Sequence, residues 1–330
     1  MNYNKGTVWV IAEQGEVGIL DISLQLIGKA RQLADKLGSL VEVILLGYEC
    51  ELVGAKLFAA GADNIYIGDH PETAVYQAEL YTEVIIRLFK QQQPDIVLIG
   101  STFVGRELAP ILAATLKTGL TAHCTDLDLN DNGILEQKIP AYGGMMTIVC
   151  PEKRPQMATV AKGVFRIPTL DKQRSGETVT LDIPHDFKAR MRTLEIVKKD
   201  TPSIPLESAE KIVAGGAGAQ NIEGWNLISE LATLIGAGLG STRPAVDEAW
   251  TKIDTMIGQS GKMVNPKLYI GIGLSGEQQH MIGIVDSEVM VAINNDKLSP
   301  VFNQVDYGIV DDCQLFLPEL IKKIKAYKNK

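Results

Sequence analysis

The feature that most constrains this chain is a regular alternation of short apolar runs with longer segments of helical periodicity. Apolar runs with the length and β-branched composition of buried strands occupy positions 7–12, 40–47, 64–68 and 95–100. The intervening segments carry apolar residues at intervals of three to four, which predicts helices over 22–37, 51–60 and 74–91. Strands that alternate with helices form a mainly parallel sheet, so the sequence predicts an α/β fold.

A second alternation of the same kind begins after position 210. It opens on the strand-like run K-I-V-A-G and continues with a helical pattern from Ile222 to Ile235. The segment 185–210 loses periodicity and contains prolines, which makes it the best candidate for a linker. A chain of 330 residues also exceeds the usual size of one core. We therefore expect two α/β domains, 1–200 and 201–330, each built on a mainly parallel sheet.

The amino-acid composition argues against some classes of binding partner. The 40 acidic and 32 basic side chains give a net charge of −8, which argues against nucleic acid as a partner. No apolar run approaches the roughly 20 residues that span a bilayer, so we expect no membrane span and a cytoplasmic protein. The four cysteines and four histidines are scattered without metal-ligand spacing. We predict no metal site, and any redox chemistry must come from an organic cofactor.

Glycine-flanked polar residues follow successive strands of the second domain. These corners contain Gly215, Gly216 and Gly218, then Gly238 and Gly240, then Gly258 and Gly261, and finally Gly271, Gly273 and Gly276. The carboxyl ends of parallel strands share one edge of a sheet, and open α/β sheets bind ligands at that edge. The corners therefore favour a nucleotide site.

The last corner, Gly271-x-Gly273-x-x-Gly276, matches a dinucleotide fingerprint between a strand and a helix, although such glycines also serve close packing. One interpretation is a nicotinamide-dependent dehydrogenase with His280 as proton donor. The motif lies deep in the second domain rather than at its start, which is unusual for that class. A third interpretation is an adenine-nucleotide-binding regulator without a redox role.

Several longer motifs indicate a family. They are S-T-R-P-A-V-D (241–247), G-Q-S-G-K (258–262), Y-I-G-I-G-L-S-G-E-Q-Q-H (269–280), V-A-I-N-N-D (291–296) and D-Y-G-I-V-D-D (306–312). In this order and spacing they closely resemble the C-terminal FAD-binding domain of electron transfer flavoprotein alpha subunits. The resemblance extends to P-A-Y-G-G-M-M-T-I-V and R-P-Q-M-A-T-V in the first domain.

The resemblance implies FAD in the second domain, with residues carried over motif by motif and none assigned to bond-making catalysis. Arg243 would lie against the flavin ring and stabilise its reduced, anionic forms, and Ser260 would place its hydroxyl at flavin N5. Gln259 and Gly261 would shape the Ser260 loop. The remaining implied positions are Gln279 and His280 at the pyrimidine edge, Ser275 and Asn294 near the pyrophosphate, and Asp312 at the adenosine end.

The same resemblance implies a heterodimer with a beta subunit that contacts the N-terminal domain, which is similar to nucleotide-hydrolase folds. The implied redox partners are acyl-CoA dehydrogenases and, where electron bifurcation occurs, ferredoxin and NADH through the beta subunit. The chain departs from the family pattern at Ser260, where threonine is common, and at Asn295, where lysine is common. In the first domain Ala161 and Lys162 replace the usual arginine and proline, so no role is transferred there.

Overall fold

The computed structural model describes residues 6–15, 18–50, 53–141, 144–184, 187, 189–191, 193–197 and 204–328. The chain divides into two compact units, 1–198 and 199–330. Part of the predicted linker, including 198–203, lies outside the described residues.

The N-terminal unit alternates strands with helices over its first 116 residues and then continues mainly in strands. Its strands are β1 (Val8–Ala12), β2 (Gln14–Gly15), β3 (Gly18–Ile19), β4 (Val41–Gly47), β5 (Asn64–Asp69), β6 (Ile96–Gly100), β7 (Leu120–Cys124), β8 (Asp126–Leu129), β9 (Leu135–Ala141), β10 (Gly144–Ile148), β11 (Gln156–Val160) and β12 (Glu177–Thr180). Its helices are α1 (Asp21–Leu37), α2 (Gly54–Ala60), α3 (Ala78–Gln92) and α4 (Phe103–Leu116).

The main sheet of this unit is parallel throughout the described residues, in the order β12-β5-β4-β1-β6-β11-β7. Every residue of β1 and β6 is buried, because apolar side chains cover both faces of the sheet. The apolar runs in the sequence therefore predicted these central strands to within one residue. The D-N-G turn between β8 and β9 also forms the expected antiparallel hairpin, which β10 extends.

A buried carboxylate interrupts the apolar core of this sheet. Glu42, on β4, is 4% exposed. Its oxygens accept hydrogen bonds from Trp9 Nε1 at 2.7 Å and Thr7 Oγ1 at 2.8 Å, and also from Asn64 and Tyr66. A buried carboxylate with this many donors has its polar atoms satisfied, which makes its burial tolerable.

The helix predicted over 74–91 begins later than expected. A short 3₁₀ turn spans Pro71–Thr73, and α3 starts at Ala78. The buried Thr73 hydroxyl lies 2.8 Å from the His70 carbonyl and also contacts the Gly47 carbonyl. These side-chain bonds to backbone compete with helix formation, so the periodic pattern overstates the helix at its start.

The C-terminal unit is a smaller α/β layer structure. Its strands are β13 (Lys211–Gly215), β14 (Gly238–Ser241), β15 (Leu268–Ile272), β16 (Met290–Asn294) and β17 (Tyr307–Val310). Its helices are α5 (Ile222–Ile235), α6 (Arg243–Asp247), α7 (Gln278–Met281) and α8 (Cys313–Lys328).

The C-terminal strands are parallel in the order β14-β13-β15-β16-β17. β14 is added on one side of β13, the first strand of the unit, and β15, β16 and β17 follow on the other side. The order of the strands therefore reverses at β13. Such a switch point opens a crevice at the carboxyl ends of the strands, where doubly wound sheets bind ligands. Separately, no helix among the described residues is long and apolar enough to cross a membrane.

Candidate functional site

A cavity of about 490 Å³ lies at the carboxyl edge of the C-terminal sheet. Loops after β13, β14, β15 and β16 line it, together with the 256–261 loop and α7. Eight of the nine residues named from the sequence line this cavity: Arg243, Gln259, Ser260, Gly261, Ser275, Gln279, His280 and Asn294. The fold thus brings residues up to 51 positions apart in sequence to one concave surface.

Asp312 is the predicted residue that does not line the cavity. Its Oδ1 atom accepts from the Gln314 N–H at 2.8 Å, in the first turn of α8, where a carboxylate satisfies an otherwise free donor. The other oxygen lies 3.5 Å from Gln220 Nε2. In this structure Asp312 therefore stabilises the start of α8 and the turn after β13.

Two glycines of the 271–276 motif line the cavity. Gly273 has φ +60° and Gly276 has φ +83°, a region that residues with a Cβ rarely adopt. A Cβ on Gly276 would lie 2.5 Å from the Val301 Cα, so no side chain fits there. The motif therefore serves close packing of backbone on backbone beside the cavity.

Arg243 supplies a permanent positive charge at the rim of the cavity. It is the first residue of α6, and its side chain is 76% exposed. Its Nε atom lies 3.5 Å from Asp247 Oδ2, one helical turn away. A surface pair of this kind contributes little stability, so the guanidinium can turn toward an anion or an electron-rich ring.

The loop that carries Gln259, Ser260 and Gly261 is held from two sides. The Gln259 N–H donates to the Gln279 carbonyl at 2.7 Å, and the Lys262 N–H donates to the Met256 carbonyl at 2.8 Å. Lys262 Nζ also forms an ion pair with Glu207 at 3.1 Å. These contacts fix the backbone of the loop while leaving the Ser260 side chain exposed at the cavity surface.

His280 is the most buried of the predicted polar side chains, at 7% exposure. Its Nε2 atom lies 2.7 Å from the Tyr269 hydroxyl, and its Nδ1 atom lies 3.1 Å from the Ile257 carbonyl oxygen. Burial lowers the pKa of His280 to about 4, and the bond to Ile257 offsets part of that shift. The imidazole is therefore neutral at physiological pH.

Asn294 ties together two loops at the end of β16. Its amide nitrogen donates to the Leu274 carbonyl at 2.9 Å and to Ser299 Oγ at 3.2 Å. Its oxygen accepts from the Asp296 N–H at 2.9 Å. The Ser299 hydroxyl in turn donates to the Ser275 carbonyl at 3.2 Å, so this network sets the position of Ser275 at the cavity.

Thr242 is a lining residue to which the sequence assigned no role. Its Oγ1 atom is buried and has no hydrogen-bond partner among the described residues. A buried hydroxyl without a partner costs free energy, so a ligand atom that reached Oγ1 and accepted its proton in a hydrogen bond would stabilise it. Its place beside Arg243 in the S-T-R-P motif was the signal available in the sequence. Other lining residues to which the sequence assigned no role include Asp296, at the end of the V-A-I-N-N-D motif, and Ser299 and Pro300, which lie beyond it.

The residues that line the cavity fit FAD as a ligand. The cavity combines apolar lining from Met256, Ile257 and Leu274 with an arginine, several hydroxyls and glycine-rich backbone, which suits a ring joined to a phosphorylated chain. The nicotinamide alternative fits less well. The helix after the glycine motif spans only Gln278–Met281, whereas a dinucleotide fingerprint opens a longer helix whose N-terminus meets the pyrophosphate.

Comparison with known proteins agrees with this geometry. The family profile described as "Electron transfer flavoprotein domain" matches residues 8–186, and "Electron transfer flavoprotein FAD-binding domain" matches 205–285. The electron transfer flavoprotein subunit alpha of Thermoanaerobacterium thermosaccharolyticum is 42% identical over 324 residues, covering 97% of this chain and 98% of that protein.

Two further relatives carry more specific names. The acryloyl-CoA reductase electron transfer subunit beta of Anaerotignum propionicum is 36% identical, covering 98% of this chain and 96% of its own. The lactate dehydrogenase (NAD(+),ferredoxin) subunit LctC of Acetobacterium woodii is 37% identical, covering 99% of this chain and 78% of its own. The chain therefore belongs to the alpha subunits of the electron transfer flavoprotein family, with FAD as the cofactor of its C-terminal domain.

Proposed function

We propose that this alpha subunit pairs with a beta subunit and that the heterodimer works in an electron-bifurcating system. NADH would donate electrons through the beta subunit, and ferredoxin and an acyl-CoA dehydrogenase would accept them. The observation that carries the electron-transfer part of the proposal is the cavity at the carboxyl edge of the C-terminal sheet, which Arg243, Ser260 and Thr242 line together.

The bound FAD supplies the redox chemistry, and the chain supplies its electrostatic surroundings. We assign Arg243 the role of stabilising negative charge that develops as electrons arrive, because its charge does not depend on pH. We assign Ser260 a hydrogen bond to the ring, because its loop is fixed by Gln259 and Lys262. Ser275 and Asn294 would position the phosphate-bearing chain, since the Asn294 network sets the loop that carries Ser275.

Two relatives support the choice of redox partners. One is named as an electron transfer subunit of acryloyl-CoA reductase, and the other as a subunit of a lactate dehydrogenase that uses NAD(+) and ferredoxin. Both align over nearly the whole of this chain. We infer that the same set of partners, an acyl-CoA dehydrogenase, NADH and ferredoxin, applies here. The four free cysteines, three of them buried, are consistent with a cytoplasmic, reducing environment.

The experiment that tests this proposal is a cofactor count. The full chain is co-expressed with its beta subunit, the heterodimer is purified, and the FAD and AMP released by denaturation are quantified per heterodimer. We expect two FAD, one held by this chain and one by the beta subunit. A parallel preparation of the Arg243→Ala variant with its beta subunit should retain less FAD, because it removes a cationic contact at the cavity rim.

One FAD together with one AMP per heterodimer would overturn the assignment to a bifurcating system. The heterodimer would then be an electron carrier that does not bifurcate. Absence of FAD from the heterodimer would overturn the function itself. If two FAD are bound, reduction by NADH in the presence of ferredoxin and an acyl-CoA dehydrogenase should reduce both acceptors. Reduction of the dehydrogenase alone would reject bifurcation.

A further inference from the structure

A second cavity, of about 450 Å³, lies within the N-terminal unit. Its lining comes from the residues that follow β1 and β4, from the segment between β5 and α3, and from α3 and α4. In the main sheet, β1 has β4, β5 and β12 on one side and β6, β11 and β7 on the other, so the order of the strands reverses at β1. Open α/β sheets bind ligands at the carboxyl ends of the strands beside such a point. The cavity therefore lies where this sheet is expected to offer a binding site.

The side chains that line this cavity carry negative charge only. The described lining residues include the two carboxylates of Glu13 and Glu49, and they include no lysine, arginine or histidine. Coulomb repulsion would act against a phosphate or carboxylate ligand in such a cavity, whereas attraction would favour a cation. The charge of the lining therefore separates this cavity from the one in the C-terminal unit, which Arg243 lines.

Glu13 is the more enclosed of the two carboxylates, and it follows β1 directly. Its two oxygens lie 2.7 and 2.8 Å from Thr102 Oγ1, but a hydroxyl has one proton and can donate to only one of them at a time. Burial raises the pKa of Glu13, while the Thr102 hydrogen bond and the charge of Lys162 act in the opposite direction. Lys162 is exposed and does not line the cavity. A cation inside the cavity would therefore stabilise the ionised carboxylate.

Aromatic rings lie on the same lining as the carboxylates. Tyr48, Tyr76 and Tyr81 all line the cavity. The rings of Tyr76 and Tyr81 pack edge to face, with their centroids 4.9 Å apart. The Tyr81 hydroxyl lies 3.1 Å from each of two acceptors, the carbonyl oxygens of Leu46 and Thr73, which fixes the position of this ring. Aromatic rings attract ammonium groups through their π-electrons, and rings beside a carboxylate are a recurring lining of ammonium sites.

We propose that this cavity binds a small organic cation, whose ammonium group lies beside Glu13 and the tyrosine rings. A metal ion fits less well, because the described residues contain no group of three or more histidine, cysteine, aspartate or glutamate side chains that could hold one. The volume of about 450 Å³ is also in the range of small-molecule sites. The site shares no lining residue with the C-terminal cavity and does not depend on the function proposed for that cavity.

The test compares two probes of the same shape. Choline carries a quaternary ammonium group, and 3,3-dimethylbutan-1-ol has a carbon atom in place of the nitrogen and therefore no charge. The affinity of each probe is measured by saturation-transfer nuclear magnetic resonance titration of the full chain co-purified with its beta subunit. We expect choline to bind about tenfold more tightly than the neutral alcohol, because only choline gains the attraction of the carboxylates and the rings.

Variants of this chain locate the probe. Glu13→Gln should weaken choline binding about tenfold and leave binding of the neutral alcohol unchanged, because it removes charge but little volume. Tyr76→Leu should weaken choline binding about threefold to tenfold through loss of an aromatic ring. Glu49→Gln should have a smaller effect, about twofold, because this carboxylate is exposed. The matched control is Glu177→Gln, which removes an exposed carboxylate at the amino end of β12, outside the cavity, and should change neither affinity.

Equal affinities for choline and the neutral alcohol would overturn the proposal, as would the absence of choline binding at millimolar concentrations. Choline binding that none of the three cavity variants weakens would also overturn it, because the ammonium group would then be bound elsewhere. If Glu13→Gln does not fold because the Thr102 contact is changed, Tyr76→Leu and Glu49→Gln decide the question.

Discussion

Gly218 and Gly273 meet backbone to backbone at the switch point of the C-terminal sheet. The Gly218 N–H donates to the Gly273 carbonyl at 2.8 Å, and a Cβ on Gly273 would lie 2.6 Å from the Gly218 Cα. This contact joins the loops after β13 and β15, both of which line the cavity that we propose binds FAD. Neither residue can carry a side chain without moving the other loop.

We predict that Gly273→Ala destabilises the C-terminal unit and weakens FAD binding. Gly236→Ala is the matched control, because Gly236 has a similar φ of +63° but open space around the Cβ position. The control should cost about 1 kcal/mol for the left-handed backbone alone. Gly273→Ala should cost about 1–3 kcal/mol more, since an added methyl group also meets packed backbone. Thermal unfolding and FAD titration measure both, and equal losses in the two variants would contradict the packing argument.

The unpartnered Thr242 hydroxyl gives a second prediction. Thr242→Val keeps the shape of the side chain but removes the buried Oγ1 atom, which has no hydrogen-bond partner among the described residues. If FAD satisfies this hydroxyl, the variant should bind FAD roughly 5- to 10-fold more weakly, as expected for about 1 kcal/mol. The protein without FAD should be equally or more stable, because an unsatisfied polar group has been removed.

The control for this change is Thr233→Val, whose hydroxyl bonds to the Ser229 carbonyl within α5, away from the cavity. It should leave the dissociation constant for FAD unchanged in the same fluorescence titration. Tighter or unchanged FAD binding by Thr242→Val would show that this hydroxyl does not face the cofactor.

Asp247 should tune the potential of the FAD through Arg243. The two side chains lie 3.5 Å apart on α6, and both are largely exposed. Asp247→Asn removes a negative charge beside the guanidinium, so reduced, anionic FAD should become easier to form. An exposed pair is worth about 0.2–1 kcal/mol, which predicts a rise of about 10–40 mV in the one-electron midpoint potential.

A control that removes the same charge is available at the amino ends of the strands, away from the cavity. Glu210 pairs with Lys267 at 2.7 Å, immediately before β13 and β15 begin. Glu210→Gln removes the same charge at the amino ends of the strands and should leave the potential unchanged in a spectroelectrochemical titration. An equal rise in both variants would assign the effect to net charge rather than to Arg243.

The sequence predicted the central strands well because β1, β4 and β6 are apolar along their whole length, as strands buried on both faces must be. Eight of the nine residues that it named for the site line the cavity, because the motifs that carry them are local. It did not predict β12, an edge strand with exposed residues and no apolar pattern. The start of α3 was wrong because Thr73 bonds to backbone carbonyls from β4 and the adjoining turn.

The contacts of the site that the sequence did not predict have a common physical origin. The bond between Tyr269 and His280 depends on the relative placement of β15 and α7, and the bond to Ile257 depends on a loop 23 residues away. No pattern of spacing encodes which nitrogen of an imidazole will face which partner. For the same reason the sequence could name His280 as a polar residue at the cavity but not determine its hydrogen bonds.

His280 also predicts how stability depends on pH. The pKa of His280 is about 4 in the folded protein and 6.5 in the unfolded chain. Between these values the unfolded chain binds a proton that the folded protein excludes, so the free energy of unfolding falls as pH is lowered from 6.5 to 4. The difference of about 2.5 pH units corresponds to a loss of about 3 kcal/mol.

The measurement is the free energy of unfolding at pH 7 and pH 5, compared between wild type and His280→Gln. Burial raises the pKa of Glu13, in the N-terminal unit, so this carboxyl makes a contribution of opposite sign that is common to both proteins and cancels in the comparison. The wild type should lose more stability than the variant on going to pH 5. If both lose the same amount, His280 accepts a proton in the folded protein as readily as in the unfolded chain. The conclusion that the buried imidazole of His280 is neutral would then be wrong.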